Sequence, residues 1–168
     1  PILILLSLLF GETYAVKNKL SPQLEGLFQG PLLDSNGKEV DKSVLAGKTI
    51  GIYFSAHWCP PCRGFTPKLV EFRNSNKKDF EVVFVSSDRS PKAQMEYMKG
   101  SNMKWYTMPH RSDAANALSK KYGVRGIPAL MIVSSDGKTI TKDGRTDVTS
   151  NPKGALRVGK RNHKRYFK

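Results

Sequence analysis

The sequence predicts an α/β fold in which a central mixed β-sheet is flanked by helices, and three observations support this. Apolar runs rich in β-branched residues alternate with helical stripes, Asn36-Gly37 marks an early hairpin, and Asp136-Gly137 joins two short strands near the end. Alternating strands and helices imply parallel strands joined by right-handed crossovers. The length of 168 residues and the apolar fraction of 39% fit one globular domain and exclude a disordered or fibrous chain.

The first predicted elements are a hairpin and a buried strand. Residues 27–33 are expected to pair with the residues beyond Asn36-Gly37, because Asn-Gly is a strong two-residue turn signal. This hairpin is an N-terminal extension of the sheet. Residues 48–56 are almost continuously apolar and β-branched, which is typical of a central strand buried on both faces.

A helix and a second buried strand are expected next. Phe65, Leu69 and Phe72 recur at the spacing of one helical face. Residues 81–86, Glu-Val-Val-Phe-Val-Ser, then form the second buried strand. Because a helix separates the two strands, we expect them to be parallel neighbours.

Two more helices precede a final hairpin. Ser90 is a favourable N-cap with Pro91 at the first helical position, and a third helix ends at Gly123, in the position after the C-cap. Residues 129–133 and 138–141 follow as an antiparallel strand pair at the edge of the sheet.

The beginning of the chain is interpreted as a signal peptide over residues 1–15. Residues 2–10 are apolar except at Ser7, and the run is shorter than the roughly 20 residues that a membrane-spanning helix needs. Thr13-Tyr14-Ala15 places small residues where a signal peptidase cleaves. We therefore expect a folded domain over residues 16–150 in a secreted or secretory-pathway protein with no membrane span, and a cytoplasmic location is the alternative.

Half of the net charge lies in the last residues of the chain. The formal net charge is +14, and residues 153–168 hold seven basic residues and no acidic one. We expect residues 151–168 to form a flexible, solvated basic tail, and weak contact with polyanions is the alternative interpretation. This tail supports an alternative function, a secreted polyanion-binding module.

The only two cysteines, Cys59 and Cys62, lie in the segment Trp-Cys-Pro-Pro-Cys between a predicted strand and a predicted helix. Unpaired N–H groups at a helix N-terminus favour a thiolate there, so Cys59 is expected to be the nucleophile, with a lowered pKa. Cys62 lies one helical turn further and would resolve a mixed disulfide. In this cycle Cys59 attacks a substrate disulfide, and Cys62 then displaces the reduced substrate and leaves an internal disulfide. The cycle needs no metal and no bound cofactor, but it needs an external electron donor.

The two prolines between the cysteines limit the stabilisation of that thiolate. If Cys59 is the N-cap, Pro60 and Pro61 occupy the first two helical positions and carry no N–H. The nearest backbone donor is then the amide of Cys62. One donor that an N-cap normally uses is therefore missing.

Two other readings of the cysteine pair remain open at this stage. A zinc site would need a second ligand pair, and His57, His110 and His163 are scattered without ligand spacing. A purely structural disulfide over so short a loop would remove little entropy from the unfolded chain. Redox chemistry is the favoured interpretation. In the alternative function, a secreted polyanion-binding module, this redox site would be vestigial.

Four segments carry a resemblance to a known family. They are residues 53–67 (Tyr-Phe-Ser-Ala-His-Trp-Cys-Pro-Pro-Cys-Arg-Gly-Phe-Thr-Pro), 81–88, 104–109 and 122–130. Together they resemble the thioredoxin superfamily and, within it, the tryparedoxin and nucleoredoxin branch. The resemblance spans about residues 27–145 and implies a thioredoxin fold and a protein-disulfide reductase.

The resemblance also implies roles for particular residues. Ile127-Pro128 matches the family's cis-proline loop, which offers backbone to an extended substrate segment, and Trp58 matches an exposed apolar platform beside Cys59. Pro67 matches the proline that kinks the active-site helix. The implied partners are protein disulfides and an unidentified thiol electron donor, and we expect a monomer.

Some residues near the cysteines allow two readings, and two features depart from the family. Arg63 either stabilises the Cys59 thiolate or is a solvated charge, and His57 either tunes the pKa of that thiol or is a loop residue. Tyr53 stands where ordinary thioredoxins have a buried Asp, so the usual proton acceptor for the resolving thiol is missing. The family's C-terminal segment is not recognisable in residues 146–168.

Overall fold

The computed structural model describes residues 19–153, 155 and 156. Within them, one sheet of seven strands has the order β2-β1-β5-β4-β3-β6-β7. The strands are β1 (Leu32–Leu33), β2 (Glu39–Val40), β3 (Thr49–Ser55), β4 (Phe80–Ser86), β5 (Tyr106–Thr107), β6 (Ala129–Val133) and β7 (Thr139–Thr141). The helices are α1 (Pro22–Leu27), α2 (Pro60–Ser75), α3 (Pro91–Gly100), α4 (Asp113–Tyr122) and α5 (Gly144–Ser150), and a 3₁₀ turn covers Lys42–Leu45.

The sheet is mixed, as the sequence predicts. Strands β3, β4 and β5 run parallel, with β3 and β4 in register from Thr49 opposite Phe80 to Ser55 opposite Ser86. Strand β6 is antiparallel to β3 and pairs in turn with β7. The opening hairpin of β1 and β2 joins the same sheet through β5. This is the thioredoxin fold that the resemblance implies.

The two faces of the sheet bury two apolar clusters. Ile50, Ile52 and Phe54 of β3 lie in one cluster, and Tyr53 lies in the other with residues of α2 and α3. A Cβ atom on Gly51 would lie 2.8 Å from Cζ of Phe80, so a larger residue there would have to displace the buried Phe80 ring. Because β3 is buried on both faces, the loop that follows it is fixed at one end of the sheet.

Two predicted helix termini and one predicted internal proline agree with the structure. Ser90 caps α3 by accepting the N–H of Ala93 at 3.1 Å, and Gly123 follows α4 with a φ of 63°. Pro67 lies inside α2. The proline and glycine signals therefore place these helices correctly.

The prediction that the first strand starts at residue 27 is wrong. Residues 27–33 do not form one strand, because Leu27 ends helix α1 and only Leu32–Leu33 pairs in the sheet. Ser21 caps that helix through the N–H of Leu24 at 3.3 Å, and Leu24 and Leu27 are buried in the core. Burial of this single helical turn outweighs the extended pattern of the sequence.

Helix α5 was not expected, because the apolar pattern fades after Lys142. Gly144 and Val148 are buried in this helix, and a Cβ atom on Gly144 would lie 2.8 Å from the carbonyl oxygen of Leu130. The helix therefore packs through a close backbone approach, which a search for apolar stripes does not detect.

The structure bears on only part of what the sequence predicts for the two ends of the chain. The signal peptide predicted over residues 1–15 lies outside the described residues, as does most of the basic tail over 151–168. Ala155 is buried and Leu156 packs against the second apolar cluster, so packing continues beyond the expected domain boundary at residue 150. Among the described helices, none has both the length and the apolar character needed to cross a membrane.

Candidate active site

The two cysteines form a disulfide at the N-terminus of α2. Cys59 is the N-cap of this helix, and its Cα lies 5.2 Å from that of Cys62. The N–H of Cys62 points at Cys59 Sγ over 3.3 Å. Cys59 is 5% exposed and Cys62 is fully buried, so a molecule from outside can reach only the sulfur of Cys59.

Pro60 and Pro61 occupy the first two positions of α2. An N-cap side chain normally accepts from the amide of the second or third helical residue. Here the second residue has no N–H, so the Cys62 amide is the one backbone donor that reaches Cys59 Sγ from this turn.

Replacing Pro61 should therefore change the acidity of Cys59. In Pro61→Gly a second amide faces the sulfur, and we expect the pKa of the Cys59 thiol to fall, with alkylation at slightly acidic pH rising roughly threefold. The measurement is the thiolate absorbance of the reduced protein as a function of pH. Pro60→Gly is the matched control, because the amide of the first helical residue does not face the cap. An unchanged or higher pKa in Pro61→Gly would contradict the interpretation.

A cis peptide bond joins Ile127 to Pro128 beside the disulfide. The carbonyl oxygen of Ile127 lies 3.7 Å from Cys59 Sγ. The backbone that the sequence resemblance assigns to substrate binding is therefore next to the accessible sulfur. The structure thus places Ile127 and Pro128 beside Cys59.

Arg145 is a residue of this region that sequence reasoning missed. Its Nη1 donates to the carbonyl oxygen of Pro128 at 3.1 Å, and its guanidinium lies 5.7 Å from the ring centre of Phe65. Arg145 also lines an open cleft of about 530 Å³ together with Pro61 and Lys68. No local signal pointed to it, because helix α5 itself was not expected.

Trp58 is the one exposed large apolar side chain among the described residues, with 52% of its surface accessible. Its indole N–H donates to the carbonyl oxygen of Ser87 at 3.2 Å. The hydrogen bond holds the ring on the surface beside Cys59. An apolar surface is therefore exposed next to the cysteine pair.

Asp88 is a second residue whose role the sequence did not reveal. Its carboxylate is buried and accepts the N–H of His57 and the hydroxyl of Ser86, both at 2.8 Å. Nε2 of His110 lies 2.7 Å from the Asp88 carbonyl oxygen. Asp88 therefore ties the loop before the cysteines to two other segments of the chain.

His57 lies in the loop before the cysteines, and Arg63 lies in the first turn of α2. Arg63 is exposed, and its Nη1 donates to the carbonyl oxygen of His57 at 2.6 Å. The ring of His57 packs against that of Tyr97, with 5.3 Å between the ring centres. Arg63 thus bridges the start of α2 to the preceding loop.

A buried group of hydroxyls lies behind Cys62. The hydroxyl of Tyr53 is 2.8 Å from Thr66 Oγ1, and Thr66 donates to the carbonyl oxygen of Cys62 at 2.8 Å. The hydroxyl of Tyr97 lies 2.7 Å from Thr66 Oγ1. Burial raises the pKa of Tyr53 well above its usual range. Its phenol therefore stays neutral, and it is not the base that deprotonates Cys62.

The structure describes two of the three histidines that were considered as zinc ligands. Among the residues that the structure describes, no three His, Cys, Asp or Glu side chains are placed to hold a metal ion. His57 and His110 both make contacts around Asp88, as given above, and His163 lies outside the described part of the chain.

Comparison with known proteins identifies the family of this domain. The family model described as "Thioredoxin-like" matches residues 47–139. Nucleoredoxin from Mus musculus is 42% identical over 126 residues, which is 73% of this chain and 28% of the relative. Probable nucleoredoxin 1 from Arabidopsis thaliana is 44% identical over 123 residues, which is 71% of this chain and 21% of the relative. The chain thus spans less than a third of the length of these curated relatives.

Solved structures agree in fold and in length. Thioredoxin from Wuchereria bancrofti superposes with a TM-score of 0.69 at 44% identity, covering 78% of this chain and 94% of that one. Tryparedoxin II from C. fasciculata superposes with a TM-score of 0.73 at 34% identity, covering 81% of this chain and 92% of that one.

Proposed function

The chain belongs to the thioredoxin-like family, and on that premise we propose that its Cys59–Cys62 pair reduces disulfide bonds in protein substrates. The observation that carries the proposal is the unequal placement of the two sulfurs at the N-terminus of α2. Cys59 Sγ accepts the N–H of Cys62 and lies 3.7 Å from the Ile127 carbonyl oxygen. Cys62 is fully buried behind it. Such a pair suits one attacking and one resolving thiol.

The first half of the reaction transfers the substrate to Cys59. In the reduced protein, the Cys59 thiolate attacks one sulfur of the substrate disulfide. A Cys59–substrate S–S bond forms, the substrate S–S bond breaks, and the released substrate thiolate takes a proton from water. An extended substrate segment would pair with the backbone at Ile127, while Trp58 contacts its apolar side chains.

The second half releases the substrate. The Cys62 thiol loses its proton, and its sulfur attacks Cys59 Sγ, forming the internal disulfide and expelling the second substrate thiolate, which is then protonated. Two electrons have passed from the cysteine pair to the substrate. An external dithiol must reduce the internal disulfide before the next cycle. Since Tyr53 stays neutral, it does not take the proton of Cys62.

Groups around the pair support the geometry rather than the chemistry. Pro60 and Pro61 fix the start of α2, Arg63 bridges it to the preceding loop, and Pro128 holds the Ile127 carbonyl beside Cys59. We propose these as supporting residues, with Ile127 and Pro128 at the substrate side.

The test is a disulfide-reduction assay with the full chain. Insulin is the substrate and dithiothreitol is the dithiol donor, and precipitation of the freed insulin B chain is followed by turbidity. The proposal predicts that catalytic amounts of the protein shorten the lag well below that with dithiothreitol alone. A lag equal to that of dithiothreitol alone would contradict it and favour a purely structural disulfide.

The remaining sequence predictions concern location and partners. Export rests on residues 2–10 and polyanion contact rests on residues 153–168, and neither gains support from the described residues or the comparisons. Both stay predictions, as does the monomeric state. We propose protein disulfides as substrates and a thiol compound or protein as the donor.

A further inference from the structure

The end of the sheet that carries the disulfide is unusually rich in arginine. Four segments of the chain meet there, residues 56–64, 87–90, 108–112 and 123–128. They contain four arginines and a single acidic residue, Asp88. The formal charge of the chain is therefore not spread evenly, and part of its excess is placed around the reacting sulfur.

Direct contacts join these segments to one another. Asp88 accepts the N–H of His57 at 2.8 Å, and His110 Nε2 lies 2.7 Å from the Asp88 carbonyl oxygen. The Ile127 carbonyl oxygen lies 3.7 Å from Cys59 Sγ. Three arginines neighbour these contacts in the chain. Arg89 follows Asp88, Arg111 follows His110, and Arg125 lies two residues before Ile127.

Two further arginines are fixed to the same region by hydrogen bonds. Arg63 donates to the His57 carbonyl oxygen at 2.6 Å, and Arg145 donates to the Pro128 carbonyl oxygen at 3.1 Å. All five side chains are exposed. We call this set the arginine rim: Arg63, Arg89, Arg111, Arg125 and Arg145.

Few exposed acids offset the arginine rim. Asp88 is 1% exposed, and its carboxylate is engaged by a backbone N–H and a hydroxyl. Asp113, at the start of α4, and Asp143, before α5, are the exposed carboxylates that border the rim in the chain. Asp143 accepts the hydroxyl of Thr146 at 2.9 Å and lines the cleft beside Arg145. The surface around Cys59 thus has a clear positive excess.

A surface of one sign of charge selects the partners that approach it. It raises the encounter rate of oppositely charged segments and lowers that of like-charged ones, and the effect weakens as salt screens it. The reaction begins with the encounter of Cys59 with a substrate disulfide. The charge next to that disulfide should therefore decide how fast it is reduced.

We propose that the protein substrates of this chain carry carboxylates beside the disulfide that Cys59 attacks. The inference rests on the proposed function and adds the class of substrate. The occupant of the rim is an acidic peptide segment that extends past the Ile127 carbonyl, with its side chains facing the exposed guanidinium groups.

The experiment compares three peptides that have the same disulfide ring and differ only in flanking residues, which are Glu, Ser or Lys. The full chain is reduced, freed of reductant and mixed with each peptide, and peptide thiols are counted by mass spectrometry over time. Each rate is divided by the rate with dithiothreitol, an uncharged dithiol, which removes the intrinsic reactivity of each peptide. We expect the Glu peptide to exceed the Lys peptide about tenfold at low salt, falling to about twofold in about 0.5 M NaCl.

A charge-reversed variant assigns the preference to the rim. Arg89 and Arg125 make no hydrogen bond or ion pair within the described residues, so Arg89→Glu with Arg125→Glu should leave the fold intact. In this double variant we expect the Glu-to-Lys ratio to fall to one or below. Lys78→Glu with Lys77→Glu is the matched control, because these lysines lie between α2 and β4, at the opposite end of the strands, and it should keep the ratio. The ratio does not depend on how much of a variant is folded.

The outcomes separate the inference from the proposed function. Equal corrected rates for all three peptides would overturn the acidic-substrate inference and leave the reductase proposal standing. A preference that survives the Arg89 and Arg125 reversal would also overturn it, because the rim would not be its source. Failure to reduce any peptide would overturn both.

Discussion

Cys62→Ser should trap the protein in a covalent complex with its substrate. Without the resolving sulfur, the Cys59–substrate disulfide has no internal attacker and persists until an external thiol reaches it. We expect a shifted band on a non-reducing gel that disappears with dithiothreitol. Turnover in the insulin assay should fall by roughly two orders of magnitude or more, because removing one member of a catalytic pair disables the cycle.

Cys59→Ser is the matched variant for this experiment. Its remaining thiol, on Cys62, is fully buried, so it should neither form the mixed disulfide nor shorten the insulin lag. Both variants lose the internal disulfide, so a difference between them is not caused by its loss. The account would be contradicted if Cys59→Ser formed the complex and Cys62→Ser did not, since the attacking and resolving roles would then be exchanged.

Glu81→Ala should produce the largest loss of stability that we expect from one polar substitution. Glu81 and Arg73 are both buried, and the guanidinium makes two hydrogen bonds to the carboxylate, at 2.8 and 2.9 Å. Lys48 Nζ lies 3.9 Å from the same carboxylate. Removal of the carboxylate leaves the Arg73 charge buried without its partner. We expect the free energy of unfolding to fall by about 3–5 kcal/mol.

The control is a double variant in which both charges are replaced by apolar residues of similar size. Arg73→Met with Glu81→Leu removes the pair together, and replacement of a buried ion pair in this way is often close to neutral. Urea unfolding of the oxidised protein measures both. If Glu81→Ala cost less than about 1 kcal/mol, the pair would behave as a solvated surface pair instead.

The parts of the fold that could be predicted are those fixed by local physical rules. The strand over Ala129–Val133 was predicted within its observed bounds, and the cap at Ser90 and the glycine after α4 were placed correctly. In each case an apolar run, a capping hydroxyl or a left-handed glycine acts within a few residues. Such signals are complete in the sequence itself.

The features that were missed depend on contacts between distant segments. Helix α5 packs through the close approach of Gly144 to the backbone of Leu130, and helix α1 is held by burial of Leu24 and Leu27. Neither contact leaves a periodic pattern long enough to recognise.

The candidate site divides in the same way. Cys59 and Cys62 could be found because their spacing and position after a buried strand point to thiol chemistry. Asp88 and Arg145 could not be found in this way. Asp88 bonds the backbone of His57, 31 residues away in the chain, and Arg145 bonds the backbone of Pro128, 17 residues away. An isolated acid or arginine in a sequence carries no sign of such a partner.

The central claim is that Cys59 is the reactive sulfur, held partly as thiolate at the start of α2, and the most direct measurement is site-resolved alkylation. The reduced full chain is treated briefly with iodoacetamide across a series of pH values, and modification of each cysteine is quantified by peptide mass spectrometry. The account predicts that Cys59 is modified first, with half-maximal rate below the pH of about 8.5 typical of a free thiol, while Cys62 stays unmodified. Equal modification of both cysteines, or a Cys59 profile that matches a free thiol, would contradict it.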